Sequence, residues 1–172
     1  TWTNFTQNTC GVPIPITGSS DPEIFAASGT PIAGSLTGAK RYWQGLQLST
    51  GGTLYPTTAP GFDPIRNDPT KDIFLPSGRQ CRPYIVISLT DGDESCSNAA
   101  AVNAAAASLL TTVVDSHTYR IETKPIAFGQ TGPYGPIEDV AHAGGAVDGP
   151  GNEGLYAQNE EELQVAISSI LA

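Results

Sequence analysis

The chain has 172 residues, 39% of them apolar, and a formal charge of −9. That is enough apolar material for the core of one domain of ordinary size. With no Lys/Arg cluster, nucleic acid and anionic membrane are not expected as partners, since both are gripped by concentrated positive charge, and cations are favoured instead. No stretch is long and apolar enough to span a bilayer, and Thr1-Trp-Thr-Asn-Phe5 is neither a signal peptide nor an initiator methionine, so the chain reads as a piece of something longer.

Residues 1–20, rich in Thr, Asn, Pro and Gly with only short apolar pairs, read as an edge strand or loop. Asn4-Phe-Thr6 matches a glycosylation acceptor, a pattern short enough to arise by chance. A helical turn is expected at Asp21-Pro-Glu-Ile-Phe-Ala26. Pro31 suits the first turn of a helix, and Ile32, Leu36, Ala39, Trp43 and Leu46 then recur at helical spacing. Thr30 stands at that helix N-terminus, as an N-cap or with its hydroxyl free for a ligand. Residues 49–82 show no sustained period and read as a long loop, in which Asp63, Asp68 and Asp72 either bind calcium or simply face solvent.

Tyr84 to Leu89 is a mostly apolar run rich in β-branched residues, the pattern of a parallel strand covered on both faces. It ends in Thr90-Asp91-Gly92-Asp93-Glu94, and an alanine-rich segment follows with Val102, Ala106, Leu109 and Val113 on one helical face. The sequence is strand, tight turn, helix. Ligands of open α/β sheets sit outside the carboxyl ends of the strands, which places Asp91 to bind something, with capping of the following helix as its alternative role. Asp93 and Glu94 read as a solvated acidic rim. As an EF-hand the stretch fails, having Cys96 and Val102 where Gly and Glu are needed.

Tyr119 to Gly129 reads as the next strand, 129–136 as a loop, Ile137 to Gly145 as a short helix closed by glycine, and Gly154-Leu-Tyr-Ala157 as a brief strand. Asn159 caps a last helix, with Glu160 to Glu162 in its first turn and Leu163, Ile167, Ile170 and Leu171 as its buried face. Trp43 and Phe128 are assigned to the core, and His117 and His142 to structural roles. Alternating helices and strands call for parallel strands joined by crossovers: an α/β, Rossmann-like, doubly wound and mainly parallel sheet with helices on both faces.

Cys10, Cys81 and Cys96 lack Cys-x-x-Cys spacing, so zinc is not expected. Few charges and many Thr, Ser, Gly and Pro give the chain an exported look, in keeping with a disulfide. Cys81 and Cys96 lie beyond opposite ends of one strand, and at about 3.3 Å per residue they are too far apart to bridge. A bridge would use Cys10 or a cysteine outside the chain.

In order along the chain, five segments resemble the von Willebrand factor type A domain: Ser28-Gly-Thr-Pro-Ile-Ala-Gly-Ser-Leu36, Ile85 to Gly92 with its Thr-Asp-Gly end, Pro125-Ile-Ala-Phe-Gly129, Ile137 to Gly145 with its Ala-Gly-Gly end, and Leu155 to Leu163. The resemblance implies a metal-ion-dependent adhesion site in which Thr30 and Asp91 hold Mg²⁺, or Mn²⁺ or Ca²⁺. Mg²⁺ takes few protein oxygens and keeps waters, which leaves a position for a partner's carboxylate. The family's Asp-x-Ser-x-Ser loop has no match ahead of Thr30. Asp93-Glu-Ser-Cys-Ser97 has its letters in the wrong loop and is read as chance.

On this reading residues 1–172 are a single partial domain whose first strands lie upstream or in another chain. The isolated chain, with an unpaired apolar strand edge, is expected to fold poorly without them. The implied function is a metal-dependent adhesion module of an exported or cell-surface protein that binds a protein or extracellular-matrix ligand through an acidic group, with no enzymatic activity. The alternatives are a structural component of an envelope or pilus-like assembly with a degenerate metal site and, more remotely, a metal-dependent hydrolase.

Overall fold

A computed structural model describes residues 30–44, 46, 48–50, 53–55, 83–114, 116–146 and 153–171. The expectations for residues 1–20, the Asn4 acceptor, the turn at 21–26, and Asp63, Asp68 and Asp72 lie outside the described residues.

Helix α1 (Ile32–Trp43) follows Pro31, buries Ala33 and Leu36, and carries Lys40 and Arg41 in its last turn, where the helix dipole favours positive charge. Two short strands follow, β1 (Leu48–Thr50) and β2 (Thr53–Tyr55), paired antiparallel with Leu48 opposite Tyr55. The stretch read as loop from residue 49 therefore begins inside a hairpin, whose three-residue strands are too short to show a period.

Next come β3 (Tyr84–Thr90) and α2 (Ala99–Leu109), with Asn98 Oδ1 accepting from the Ala101 N–H as N-cap. A second hairpin, β4 (Thr112–Val114) and β5 (His117–Tyr119), precedes β6 (Ile121–Phe128). The assignment of Val113 to the helical face is thus corrected: α2 stops at Leu109, and the β-branched run Thr111 to Val114 turns into strand, leaving Val113 half exposed. The chain closes with α3 (Gly135–Ala143), β7 (Leu155–Ala157) and α4 (Glu160–Leu171).

Strands β3, β6 and β7 form one parallel sheet in that order, with Tyr84 opposite Ile121 and Ile126 opposite Leu155. The fold is mixed α/β, consistent with a Rossmann-like architecture. Side chains alternate between faces along a strand, and the two faces collect different helices. Ile121, Tyr84 and Val86 pack with Leu36, Val102, Ala106, Leu109 and Val140, so α1, α2 and α3 lie on one face. Ile126, five residues on from Ile121, packs instead with Leu163, Ala166, Ile167 and Ile170, so α4 lies on the other.

The first face carries a ladder of aromatic edges, Trp43 on Tyr84 at 5.8 Å and Tyr84 on Tyr119 at 5.7 Å between ring centroids. On the α4 face, Ile87 and Leu89 are 40% and 56% exposed, so the expectation that β3 is covered on both sides holds for one side among the described residues. Phe128 and Leu171, assigned to buried positions, are exposed: each sits at the end of its element, past the reach of the helix or strand that covers its neighbours.

Candidate functional site

The turn after β3 is shaped by Thr90. Its buried hydroxyl donates to the Gly92 carbonyl at 2.7 Å and accepts from the Gly92 N–H at 3.2 Å, which folds Asp91 and Gly92 over the strand end. Asp91 is exposed there. Capping of α2 falls to Asn98, so that alternative for Asp91 is answered, and no hydrogen bond from the described residues reaches its carboxylate.

The same holds for Thr30. Its hydroxyl caps nothing, because the cap of α1 comes from across the site: Glu94 Oε2 accepts from the Ala33 N–H at 2.7 Å. The other Glu94 oxygen accepts from the Cys96 and Ser97 N–H groups at 2.7 and 2.9 Å. Glu94 is therefore a clamp and not the solvated rim residue expected from the sequence, one carboxylate satisfying orphan donors in its own loop and at a helix start. A second tie runs alongside it. The Thr30 N–H donates to Ser95 Oγ at 2.6 Å, and the Ser95 N–H donates to the Thr30 carbonyl at 3.1 Å. As a result the Thr30 Oγ1 lies over Gly92, 3.7 Å from where a Cβ would stand on that glycine. The structure thus brings the Thr30 hydroxyl, distant along the chain, to the turn that carries Asp91. Cys96, in the same loop, is disulfide-bonded, and its partner lies outside the described residues.

A third segment reaches the turn from the end of β6. Tyr134 donates its hydroxyl to Asp93 Oδ2 at 2.6 Å, and the bond to this carboxylate is the main reason its phenol is held above its ordinary pKa. The Tyr134 N–H donates to the Tyr156 hydroxyl at 2.7 Å, which donates in turn to Glu138 Oε1 at 2.5 Å. Gly132 is required beside this contact, since a Cβ there would overlap the Tyr156 ring. Glu138, on α3, also accepts from the Glu153 and Gly154 N–H groups at 2.6 and 3.2 Å. Burial alone would raise its pKa, but the Tyr156 hydroxyl and the two backbone donors outweigh it and the carboxyl is held below its ordinary value. Tyr156 is pushed up to about 12, first by burial and then by its bond to Glu138. His142 sets Nδ1 3.1 Å from Glu153 Oε2 at the exposed edge of this network.

Two hollows flank these elements. One of about 220 Å³ lies between the Gly92–Glu94 turn and the first turns of α1, α2 and α3. The other, about 460 Å³, lies beside α4 between Leu155 and Ser169. The larger one touches none of the residues at the turn.

The donor set suits a hard cation in kind. Thr30 offers a hydroxyl and Asp91 a carboxylate, both oxygen ligands of the sort Mg²⁺ takes. Among the described residues no group of three or more His, Cys, Asp or Glu is gathered that could hold a metal ion, so a cation here would rest on one carboxylate, a hydroxyl and water. The letters of Asp93-x-Ser95-x-Ser97 are otherwise engaged, Asp93 with Tyr134 and Ser95 with the Thr30 backbone. Sequence reasoning missed Glu94, Tyr134, Glu138 and Tyr156. No local pattern marked Glu94, whose partners are all backbone N–H groups, and Tyr156 joins Tyr134 and Glu138 only through tertiary contacts. No helix among the described residues is long and apolar enough to cross a membrane. Comparison with protein-family models, with curated proteins and with solved structures gives no match.

Proposed function

We propose that this chain is a von Willebrand factor A-like binding module of an exported or cell-surface protein. Thr30 and Asp91 hold a divalent cation, Mg²⁺ or else Mn²⁺ or Ca²⁺, and a protein or matrix ligand engages it through an acidic group. One observation supports the reading: the Thr30 hydroxyl lies against the turn at the carboxyl end of β3 that carries the exposed Asp91, and among the described residues neither side chain is hydrogen-bonded, while neighbouring groups do the capping and the tying. Ligand sites of open parallel sheets fall at this end, and a net charge of −9 favours a cation there. The bound ion would supply a positive centre for the partner's carboxylate. The chain's own part is to fix two donors: Thr90 sets the turn, and Glu94 and Ser95 hold the Thr30 segment against it.

The test is a calorimetric titration of the full chain with Mg²⁺ and Mn²⁺. Wild type is expected to give saturable heat and Asp91→Asn none, with unchanged circular dichroism. A wild type that gives no heat overturns the cation reading.

The exposure of Ile87 and Leu89 at 40% and 56% favours a second reading, a component of an envelope or pilus-like assembly with a degenerate metal site. In that reading the strip receives another portion of the domain or a partner chain. Association that is indifferent to chelator, in a chain silent to both metals, would support it.

A further inference from the structure

We propose that Cys96 is bridged to Cys10, so that a disulfide ties the chain ahead of Thr30 to the turn after β3 and acts as a redox-sensitive brace at the carboxyl end of the strand. The inference does not depend on the cation reading. Cys96 is disulfide-bonded within the chain, and the chain holds two other cysteines, Cys10 and Cys81.

Cys81 fails on distance. From Tyr84 to Thr90 β3 spans about 20 Å, at about 3.3 Å per residue. Cys81 precedes the amino end of that strand, whereas Cys96 follows its carboxyl end, next to Ser95, whose N–H meets the Thr30 carbonyl at 3.1 Å while the Thr30 hydroxyl lies over Gly92. Doubled back along the strand, the stretch from Cys81 to Tyr84 recovers only about 10 Å. The gap that remains, again about 10 Å, exceeds the Cα separation of roughly 7 Å beyond which a disulfide does not form. Cys10 meets no such obstacle. The chain that leads from it ends at Thr30, which is already fastened to the neighbour of Cys96: the Thr30 N–H donates to Ser95 Oγ at 2.6 Å. To bring Cys10 to Cys96, that chain has only to close on itself.

Three ties then join the same two segments. The Ser95–Thr30 pair and the Glu94 carboxylate on the Ala33 N–H, at 2.7 Å, are hydrogen bonds that water can replace. The disulfide is covalent, and by closing a loop of about half the chain it restricts the unfolded state. A dithiol reductant breaks the Sγ–Sγ bond, passes two electrons, leaves a proton on each cysteine and departs as its own disulfide. The Thr30 segment is then held by hydrogen bonds alone.

The test is peptide mapping of the full chain, alkylated at acid pH before any reductant is added. Trypsin alone leaves Cys81 and Cys96 in one peptide, because Arg82 is followed by Pro83 and no other Lys or Arg lies between them, so chymotrypsin is added to cut after Tyr84. The expected map shows Cys10 joined to Cys96 until reduction, and Cys81 alkylated. Cys96 joined to Cys81, or alkylated without reduction, overturns the pairing. The brace is read separately, by thermal unfolding and amide hydrogen exchange on Cys10→Ser, on Cys81→Ser and on wild type with and without dithiothreitol. Cys10→Ser is expected to lower the unfolding midpoint by about 10 °C. Cys10→Ser and reduced wild type should both exchange faster at the Thr30 and Ala33 amides, whereas Cys81→Ser should match oxidised wild type. Exchange at those two amides that is unchanged by reduction overturns the brace.

Discussion

On the face of the sheet that carries Tyr84, Val86 and Ile121, three helices close over the strands and bury Leu36, Val102, Ala106 and Leu109. On the opposite face, among the described residues, α4 alone covers β6 and β7, and β3 leaves Ile87 and Leu89 open. Since β3 contributes β-branched and aliphatic residues to both faces, the difference lies in what packs against the strand and not in the strand itself. Stability is therefore expected to be concentrated on one side and binding on the other and at the strand ends. The carboxylates divide along similar lines. Glu94 and Glu138 accept from backbone N–H groups and hold segments together, whereas the Asp91 carboxylate takes no hydrogen bond from the described residues.

The strongest challenge to this contrast is Leu109→Ala. Leu109 is fully buried among three helices, and its loss should cost about 3 kcal/mol of unfolding free energy by urea denaturation, the usual range for a large-to-small change in a closed core. A cost near zero would mean that the three-helix face is as open as the other.

Next in size is Glu138→Gln, expected to cost about 1–2 kcal/mol near neutral pH because an amide cannot accept from Tyr156 and two backbone donors as a carboxylate does. The sign of its pH dependence follows from the direction of the shift. The folded-state pKa lies below the ordinary value of 4.5. The stabilisation is therefore fully present above that value and is lost as pH falls through the lower folded-state pKa. Denaturation curves of wild type and variant should accordingly converge as the solution is made acid. Curves that stay parallel would take Glu138 out of the class of carboxylates that hold segments together.

Glu94→Gln should follow, at about 1 kcal/mol, since it sets an amide N–H₂ against backbone N–H donors at Ala33 or at Cys96 and Ser97. Faster amide hydrogen exchange confined to those three positions is the matching local readout. Exchange unchanged there would mean that the disulfide at Cys96 and the Ser95–Thr30 pair hold the two segments without the clamp.

What the sequence made legible was local. The apolar run of β3, its Thr-Asp-Gly turn, the start of α1 after Pro31 and the Asn159 cap of α4 are each written in a few adjacent residues, and Asn159 Oδ1 does accept from the Glu162 N–H. Thr30 and Asp91 stood out because they occupy the ends of such elements. The hairpins β1–β2 and β4–β5 were hidden because three-residue strands carry no measurable period. Glu94 was misread as a rim residue because its most distant partner is a backbone N–H at Ala33, and backbone donors leave no trace in a sequence. Tyr134 and Glu138 lie at the N-cap and in the body of α3 and Tyr156 in β7, so they acquire a shared role only once α3 and β7 are packed. The exposure of Phe128 and of the Ile87/Leu89 strip was hidden for a related reason: apolar residues announce a wish to be buried, and which helix reaches them is decided elsewhere.

The smallest effect expected is the most informative about the open face. Leu89→Ser removes an aliphatic side chain that is already 56% exposed, so it should change the unfolding free energy by no more than about 0.5 kcal/mol, against several times that for Leu109→Ala. The measurement is a pair of urea curves at low and high protein concentration. If both variants behave as stated and wild type shows no concentration dependence, the strip is a free surface of the folded chain. If Leu89→Ser costs as much as Leu109→Ala at every concentration, the α4 face is covered in solution and the contrast between the faces disappears. If the cost appears only at high concentration, the covering comes from another molecule. That outcome would move the weight of the functional argument from the cation at Asp91 to the surface of β3, because a strip whose burial depends on association is an assembly contact and not an idle edge.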